Sequence, residues 1–152
     1  SIPFIILAML LIPLTRLIVG TTIGIPGAIV PLVIATVPFF SRQVQLALLE
    51  VDKGVIEASI AMGCTPLEII FRVYLKEGLP SLIRASSLTT ISLIGLTTMA
   101  GAFGAGGIGN LAISRGYNRF QGDVIVVATI IMLIIVFISQ AVGDFLEKRA
   151  TK

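Results

Sequence analysis

The 152-residue sequence contains no histidine and no tryptophan, and it has a single cysteine, Cys64. Without histidine and with only one thiol, the chain cannot provide the usual transition-metal ligand sets or a Ser–His or Cys–His nucleophile pair. A lone cysteine also excludes an internal disulfide. We therefore expect no catalytic residue, no metal site and no bound cofactor, and we interpret Cys64 as a small residue at a helix break.

Charged residues are also scarce. They make up 12% of the sequence, against about 25% in soluble domains. Hydrophobic residues make up 56%, and the mean hydropathy is +1.06. This composition predicts a membrane protein surrounded by a lipid bilayer. The net charge of +3 comes from scattered basic residues, so the sequence gives no support for nucleic-acid binding.

The apolar segments predict an all-α, polytopic membrane helix bundle with about four spanning segments. Segment four is twenty uncharged residues long, about the length that crosses a bilayer. The chain begins with Ser1 inside an apolar run, which we interpret as a truncation that removes earlier N-terminal spans. The four segments cover residues 2–19, 28–42 with a possible extension to 49, 85–114, and 124–143.

Two features of these segments leave alternatives open. Pro31 and Pro38 in segment two fit a kinked packing helix better than a hinge beside a pathway. Small hydroxyl side chains crowd residues 85–100, so one face of segment three is either an oligomer interface or the wall of a channel. The five glycines of 101–109 predict a loop or a close approach of backbones. Residues 110–123 are expected to form a polar connection.

The sequence from Glu57 to Pro80 is the one sizeable polar island. A helix is expected to begin at Glu57 and to stop at Gly63, a residue suited to the left-handed conformation past a helix end. A second helix restarts at Thr65 with a capping box, and Pro66 takes the first helical position. We expect a helix pair that docks at the membrane surface. The second helix has an apolar face with helical spacing: Leu67, Ile70, Phe71 and Tyr74.

Basic residues predict the orientation, because cytoplasmic loops carry an excess of lysine and arginine. We place the polar island and the C-terminus on one side, since two spans separate them. That side then holds Arg42, Lys53, Arg72, Lys76, Arg84, Lys148, Arg149 and Lys152. The other side holds Arg16, Arg115 and Arg119. Eight basic residues against three predict that the island and the C-terminus are cytoplasmic.

The polar island resembles the EAA loop of ABC-importer permeases. Glu57-Ala58-Ser59, Gly63 and Leu79-Pro80 match its pattern of EAA, three residues, glycine, a spacer and Leu-Pro. Ser59 replaces an alanine of the pattern, and Lys76 stands where the family often has a proline. The stretch AGAFGAGGIGNLAISRGYNRFQ and the final AVGDF are similar to permeases of methionine importers. This resemblance covers essentially the whole chain.

The resemblance implies a single type I permease domain over residues 1–152, with a cytoplasmic coupling loop at 54–80. It implies a multi-pass subunit of the bacterial cytoplasmic (inner) membrane that moves an amino acid, methionine above all, and is not itself an enzyme. The implied partners are a second permease copy, two ATP-binding-cassette ATPase subunits that hydrolyse ATP, and an extracytoplasmic substrate-binding lipoprotein.

The resemblance also assigns site residues. The translocation pathway is expected to include Met99, Leu96 and Ser92. The residues expected to couple to the ATPase are Glu57, Ala58, Ser59, Gly63, Cys64, Thr65, Pro66, Leu67, Leu79 and Pro80.

Other functions remain open at this stage. An ABC permease for another amino acid or an osmolyte would share all these features. A secondary transporter fragment would need ionisable residues within its spans, and apart from Arg16 none lies well within one. A membrane scaffold protein would use the hydroxyl-rich segment for packing only.

Overall fold

The computed structural model describes residues 3–151, and every regular element in that range is helical. This confirms the all-α class. The α-helices are α1 (Phe4–Leu10), α2 (Ile12–Val19), α3 (Gly24–Leu49), α4 (Lys53–Ala61), α5 (Pro66–Glu68), α6 (Leu75–Glu77), α7 (Leu79–Ala100), α8 (Gly107–Leu111) and α9 (Gly122–Ala150). π-Helical segments cover Ile69–Tyr74, Gly101–Ala105 and Ala112–Tyr117.

Three of the described helices are long and apolar enough to cross a membrane. They are Gly24–Leu49 with 26 residues, Leu79–Ala105 with 27 and Gly122–Ala150 with 29. At 1.5 Å per residue, even the shortest reaches about 39 Å, more than the hydrocarbon core of roughly 30 Å. They correspond to predicted segments two, three and four, with segment two extending to Leu49. Both Pro31 and Pro38 lie inside α3.

The first predicted segment folds as two shorter helices. The backbone leaves helical geometry at Leu11 (φ −87°, ψ 2°), between α1 and α2. The break precedes Pro13, which lies in the first turn of α2, where its missing N–H costs no hydrogen bond. α2 ends at Gly20, which has the left-handed conformation (φ 79°). The two helices together cover residues 4–19.

The glycine-rich stretch is a tight helical reversal rather than an open loop. Phe103 and Gly104 leave helical geometry, and Gly106 has a φ of +83° before α8 begins. A β-carbon on Gly109 would lie 2.1 Å from the carbonyl oxygen of Thr98. Only glycine therefore fits at 109, so the expected close approach of backbones is confirmed.

Residues 110–117 continue the helix and do not form the polar connection that the sequence suggested. The amide of Asn118 donates to the carbonyl of Ile113 at 2.9 Å, closing a π-helical turn. Helical bonds satisfy the backbone polar groups internally, which an apolar environment demands. The non-helical part of this connection shrinks to 118–121.

The internal contacts of the chain divide into two units, neither of them continuous in sequence. The first contains the chain up to Pro38 together with Thr90–Ile138. The second contains Phe39–Thr89 together with the chain from Ser139 onward. The first unit therefore contains the glycine reversal, and the second contains the whole polar island.

Candidate functional site

The candidate site is the polar island, called here the 54–80 loop. Its first helix, α4, begins at Lys53 and not at Glu57 as the sequence suggested. The reason is a cap that lies further upstream, where the Asp52 carboxylate accepts a hydrogen bond from the Gly54 amide at 2.6 Å. Glu57 and Ala58 are exposed along α4. Ser59 is buried, and its hydroxyl donates to the Val55 carbonyl at 2.8 Å.

α4 ends in a Schellman motif centred on Gly63. The Gly63 amide donates to the Ile60 carbonyl at 2.9 Å, and the Cys64 amide donates to the Ser59 carbonyl at 3.1 Å. This pattern needs a residue with positive φ just past the helix, and Gly63 has φ +83°. The predicted turn at Gly63 is therefore confirmed.

The restart of the helix at Thr65 is a complete capping box, also as predicted. The Glu68 amide donates to the Thr65 hydroxyl oxygen at 3.4 Å, and the Thr65 amide donates to the Glu68 carboxylate at 2.9 Å. The Thr65 hydroxyl donates to the same carboxylate oxygen at 2.9 Å. The amide and hydroxyl of Thr65, and then the charge of Arg72, lower the pKa of Glu68 below its ordinary value. Pro66 takes the first helical position.

A small hydrophobic core holds the loop together. Val51, Ile69 and Val73 are its buried members, and Ile56, Cys64 and Tyr74 pack against them. The apolar face that the sequence predicted for the second helix does not form this core, since Tyr74 is its one member that packs against it. The π-helical winding of Ile69–Tyr74 has a longer period than an α-helix, so the inward positions shift to 69 and 73.

Several large apolar side chains of the loop are exposed, and five of them lie between residues 60 and 71. Met62 is 77% exposed, Leu67 67% and Phe71 66%. A group of exposed apolar side chains outside the long apolar helices is a candidate surface for contact with a partner. We call this set the loop surface, and it consists of Ile60, Met62, Leu67, Ile70 and Phe71.

The C-terminal end of the loop closes tightly on its beginning. Gly78 is buried, and a β-carbon there would lie 2.5 Å from the Tyr74 carbonyl oxygen and 3.3 Å from Val51 Cγ2. α7 begins at the next residue, with Leu79 exposed and Pro80 half-buried. No flexible linker therefore separates the loop from the long helix that follows.

The three residues expected along a pathway share one face of α7. Ser92, Leu96 and Met99 are spaced at i, i+4 and i+7, and Met99 is 51% exposed. Their face differs from the one that borders a cavity of about 440 Å³ in the first unit, which is lined by Ile94, Thr97 and Thr98 among others. The structure thus groups the three predicted residues together, away from that cavity.

Sequence reasoning missed one polar contact beside this cavity. The Thr98 hydroxyl lies 3.8 Å from the sulfur of Met132, and it also donates to the Ile94 carbonyl at 2.9 Å. The only sequence signal was the small-hydroxyl content of α7, which does not identify the partner.

A protein-family model matches residues 1–152, and its family is described as "Binding-protein-dependent transport system inner membrane component". The probable D-methionine transport system permease protein MetI of Pasteurella multocida (strain Pm70) is 50% identical over 149 residues, 98% of this chain and 69% of that protein. The methionine import system permease protein MetP of Bacillus subtilis (strain 168) is 51% identical over 146 residues, 96% of this chain and 66% of that protein.

A solved structure is similar over the whole fold. Described as an inward facing conformation of the MetNI methionine ABC transporter, it matches with a TM-score of 0.95 and 45% identity, over 100% of this chain and 70% of that one. The chain thus spans about two thirds of the length of these relatives. The loop geometry, the long apolar helices and these matches agree, and the chain belongs to the family of binding-protein-dependent transport system inner membrane components.

Proposed function

We propose that this chain is the permease subunit of an ABC importer for methionine, with ATP hydrolysed on a separate subunit. The observation that carries the proposal is the loop surface, a set of exposed apolar side chains held on a rigid two-helix support. The names of the relatives, which are methionine permeases, support the substrate class.

The loop is built to transmit force rather than to absorb it. Its two helices are fixed to each other by the Schellman motif, the capping box and the Val51–Ile69–Val73 core. Only three residues separate α3 from α4, and only Gly78 separates α6 from α7. A displacement of the loop by a docked ATPase therefore moves the adjoining ends of two long helices.

Within this proposal, the coupling residues fall into two groups. Leu67 offers apolar contact area to the ATPase, and Glu57, Ala58 and Pro66 are also exposed. The others shape the loop: Ser59 and Cys64 lie against its interior, Gly63 and Thr65 make its turn, and Leu79 and Pro80 begin α7.

The pathway and the remaining partners complete the proposal. The face of Ser92, Leu96 and Met99 is assigned to the pathway, which a second copy of the chain helps to enclose. An extracytoplasmic binding protein delivers the substrate, and the 54–80 loop and C-terminus are cytoplasmic. ATP shifts the transporter between states only by as much as it binds one state better than the other.

Reconstitution of the full-length subunit with its ATPase and binding protein tests the function. We expect labelled methionine to enter liposomes in which the ATPase faces the interior, and to do so only when ATP is enclosed with it. Uptake by the permease alone, driven by an ion gradient, would overturn the proposal in favour of a secondary transporter. Competition by unlabelled amino acids and osmolytes tests the substrate. If the cargo is not methionine, that other compound should reduce the uptake of label more strongly than unlabelled methionine does.

A further inference from the structure

Within the second unit, Arg84 in α7 bridges two carboxylates, one in α9 and one just after the end of α3. Its Nε lies 3.0 Å from Oε1 of Glu147 in α9, and its Nη1 lies 3.7 Å from Oε2 of Glu50, the residue that follows α3. The Ser81 hydroxyl also donates to that Glu50 carboxylate. Three helix ends therefore meet at one guanidinium.

Both carboxylates occupy unfavourable positions in their own helices. Glu50 follows the last residue of α3, and Glu147 lies in the last turn of α9. The carboxyl end of a helix carries partial negative charge, which disfavours an anion there. Arg84 neutralises both carboxylates. Their positions are therefore explained by the contact between helices and not by the stability of either helix alone.

A close crossing of α7 and α9 places Arg84 near Glu147. A β-carbon on Gly143 would lie 2.1 Å from the Ser87 hydroxyl oxygen, so α7 and α9 touch at this point. Gly143 lies one turn before Glu147, and Ser87 lies three residues after Arg84. The crossing therefore sets the distance across which Arg84 and Glu147 meet.

The contacts of Arg84 also bracket the 54–80 loop. Glu50 lies four residues before the loop begins, and Ser81 follows its last residue directly. Gly78 packs against Val51 between them. The two ends of the loop are thus joined to each other and, through Arg84, to the end of α9.

We propose that Arg84 is a positioning residue that makes the C-terminal part of α9 move together with the loop. This inference rests on the proposed function, since it assumes that an ATPase displaces the loop. Arg84 and Glu50 are each about half exposed, with side-chain exposures of 50% and 53%. Exposed pairs add little to global stability, so the contact acts on the relative movement of the helices rather than on folding.

Substitution of Arg84 by glutamine in the reconstituted transporter tests the role. We expect the methionine moved per ATP hydrolysed to fall by about fivefold, the scale of an exposed ion pair, with little change in melting temperature. Arg42→Gln is the matched control, because Arg42 bonds Gln45 within its own helix, at 2.8 Å. An Arg84→Gln variant that keeps the wild-type ratio overturns the proposal.

A second readout separates positioning from a structural role. Amide exchange in residues 140–150 should respond to ATP in the wild type and lose that response in Arg84→Gln, while residues 54–80 still respond. The charge-exchanged variant Glu50→Gln/Arg84→Glu/Glu147→Arg should regain it, because it restores a pair between α7 and α9. A response of residues 140–150 that persists in Arg84→Gln contradicts the proposal.

The proposed function can fail separately from this inference. If the wild type shows no ATP-driven uptake, the importer assignment is wrong. Exchange in residues 140–150 without nucleotide then still reports the contact: faster exchange in Arg84→Gln than in Arg42→Gln supports the link between α7 and α9, and equal exchange refutes it.

Discussion

At the residue scale, Gly63 has a role that its surroundings do not dictate. Apart from its two chain neighbours, no residue has an atom within 4 Å of the position that a β-carbon would take, so the requirement for glycine comes from its φ of +83° alone. A side chain in the left-handed region costs roughly 1–2 kcal/mol. A substitution at Gly63 would therefore weaken the Schellman turn through its backbone conformation and not through a steric clash.

We predict that Gly63→Val lowers the stability of the 54–80 loop by about 1–2 kcal/mol and uncouples ATP hydrolysis from methionine uptake. The measurements are amide exchange of residues 54–80 and the ratio of uptake to hydrolysis. Gly95→Val is the matched control, because position 95 in α7 is equally open but has no positive φ. If Gly63→Val imports methionine at the normal rate and ratio, Gly63 does not have this role.

The capping carboxylate makes the loop sensitive to acid. Because the pKa of Glu68 is lowered in the folded protein, its stabilising effect is fully present above the ordinary value of 4.5 and is lost as the pH falls through the folded value. We expect the protection of the Thr65 amide, which donates to this carboxylate, and of amides 67–70, corrected for intrinsic exchange rates, to decline in that range. Glu68→Gln should remove most of this pH dependence, and an equal decline in both proteins would contradict the prediction.

At the element scale, the second helix of the loop separates stability from docking. Ile69 faces the small core and Phe71 faces outward. We predict that Ile69→Ala destabilises the loop by about 2–5 kcal/mol, as truncation of a buried isoleucine does. Phe71→Ala should leave melting unchanged and weaken ATPase association by at least about fivefold, because aromatic anchors dominate interfaces.

Thermal melting and co-purification with the ATPase subunit distinguish these two effects. Phe145→Ala is the control for Phe71, since Phe145 is 63% exposed on α9 and lies outside the loop. Equal loss of ATPase binding in Phe71→Ala and Phe145→Ala would show that the loop surface is not the docking site.

The crossing of α7 and α9 leads to another prediction at this scale. Gly143→Ala should destabilise the protein by about 1–3 kcal/mol, because its β-carbon would overlap the Ser87 side chain. The double variant Ser87→Gly/Gly143→Ala removes both clashing atoms and should recover most of that loss in thermal melting. A double variant no more stable than Gly143→Ala would place the strain elsewhere.

Much of the element pattern was predictable from sequence, for identifiable physical reasons. Long uncharged runs predicted α3, α7 and α9, and the local chemistry of Thr65 and Gly63 predicted the turn between α4 and α5. The burial of Ile69 and Val73 was not predictable, because α-helical spacing does not apply where the chain is π-helical. The Arg84 contacts join residues as far as 63 positions apart, and no local pattern reports such pairs.

At the scale of the whole molecule, the single cysteine allows the orientation to be measured directly. Cys64 lies in the loop and is only partly buried. We predict that a membrane-impermeant maleimide labels it in inside-out vesicles and not in right-side-out ones, because basic residues favour a cytoplasmic loop. A Cys64→Ser/Arg119→Cys variant should show the opposite pattern. Labelling of Cys64 from outside would invert the topology proposed here.

The number of residues in the π-helical segment Ile69–Tyr74 determines which side chains of the loop face outward. A π-turn accommodates one residue more than an α-turn, and each residue of an α-helix accounts for about 100° of rotation. Deleting a single residue from this segment would therefore swing the outward groups inward. Point substitutions can change the affinity of the loop for a partner, but changing which residues face that partner requires an insertion or a deletion.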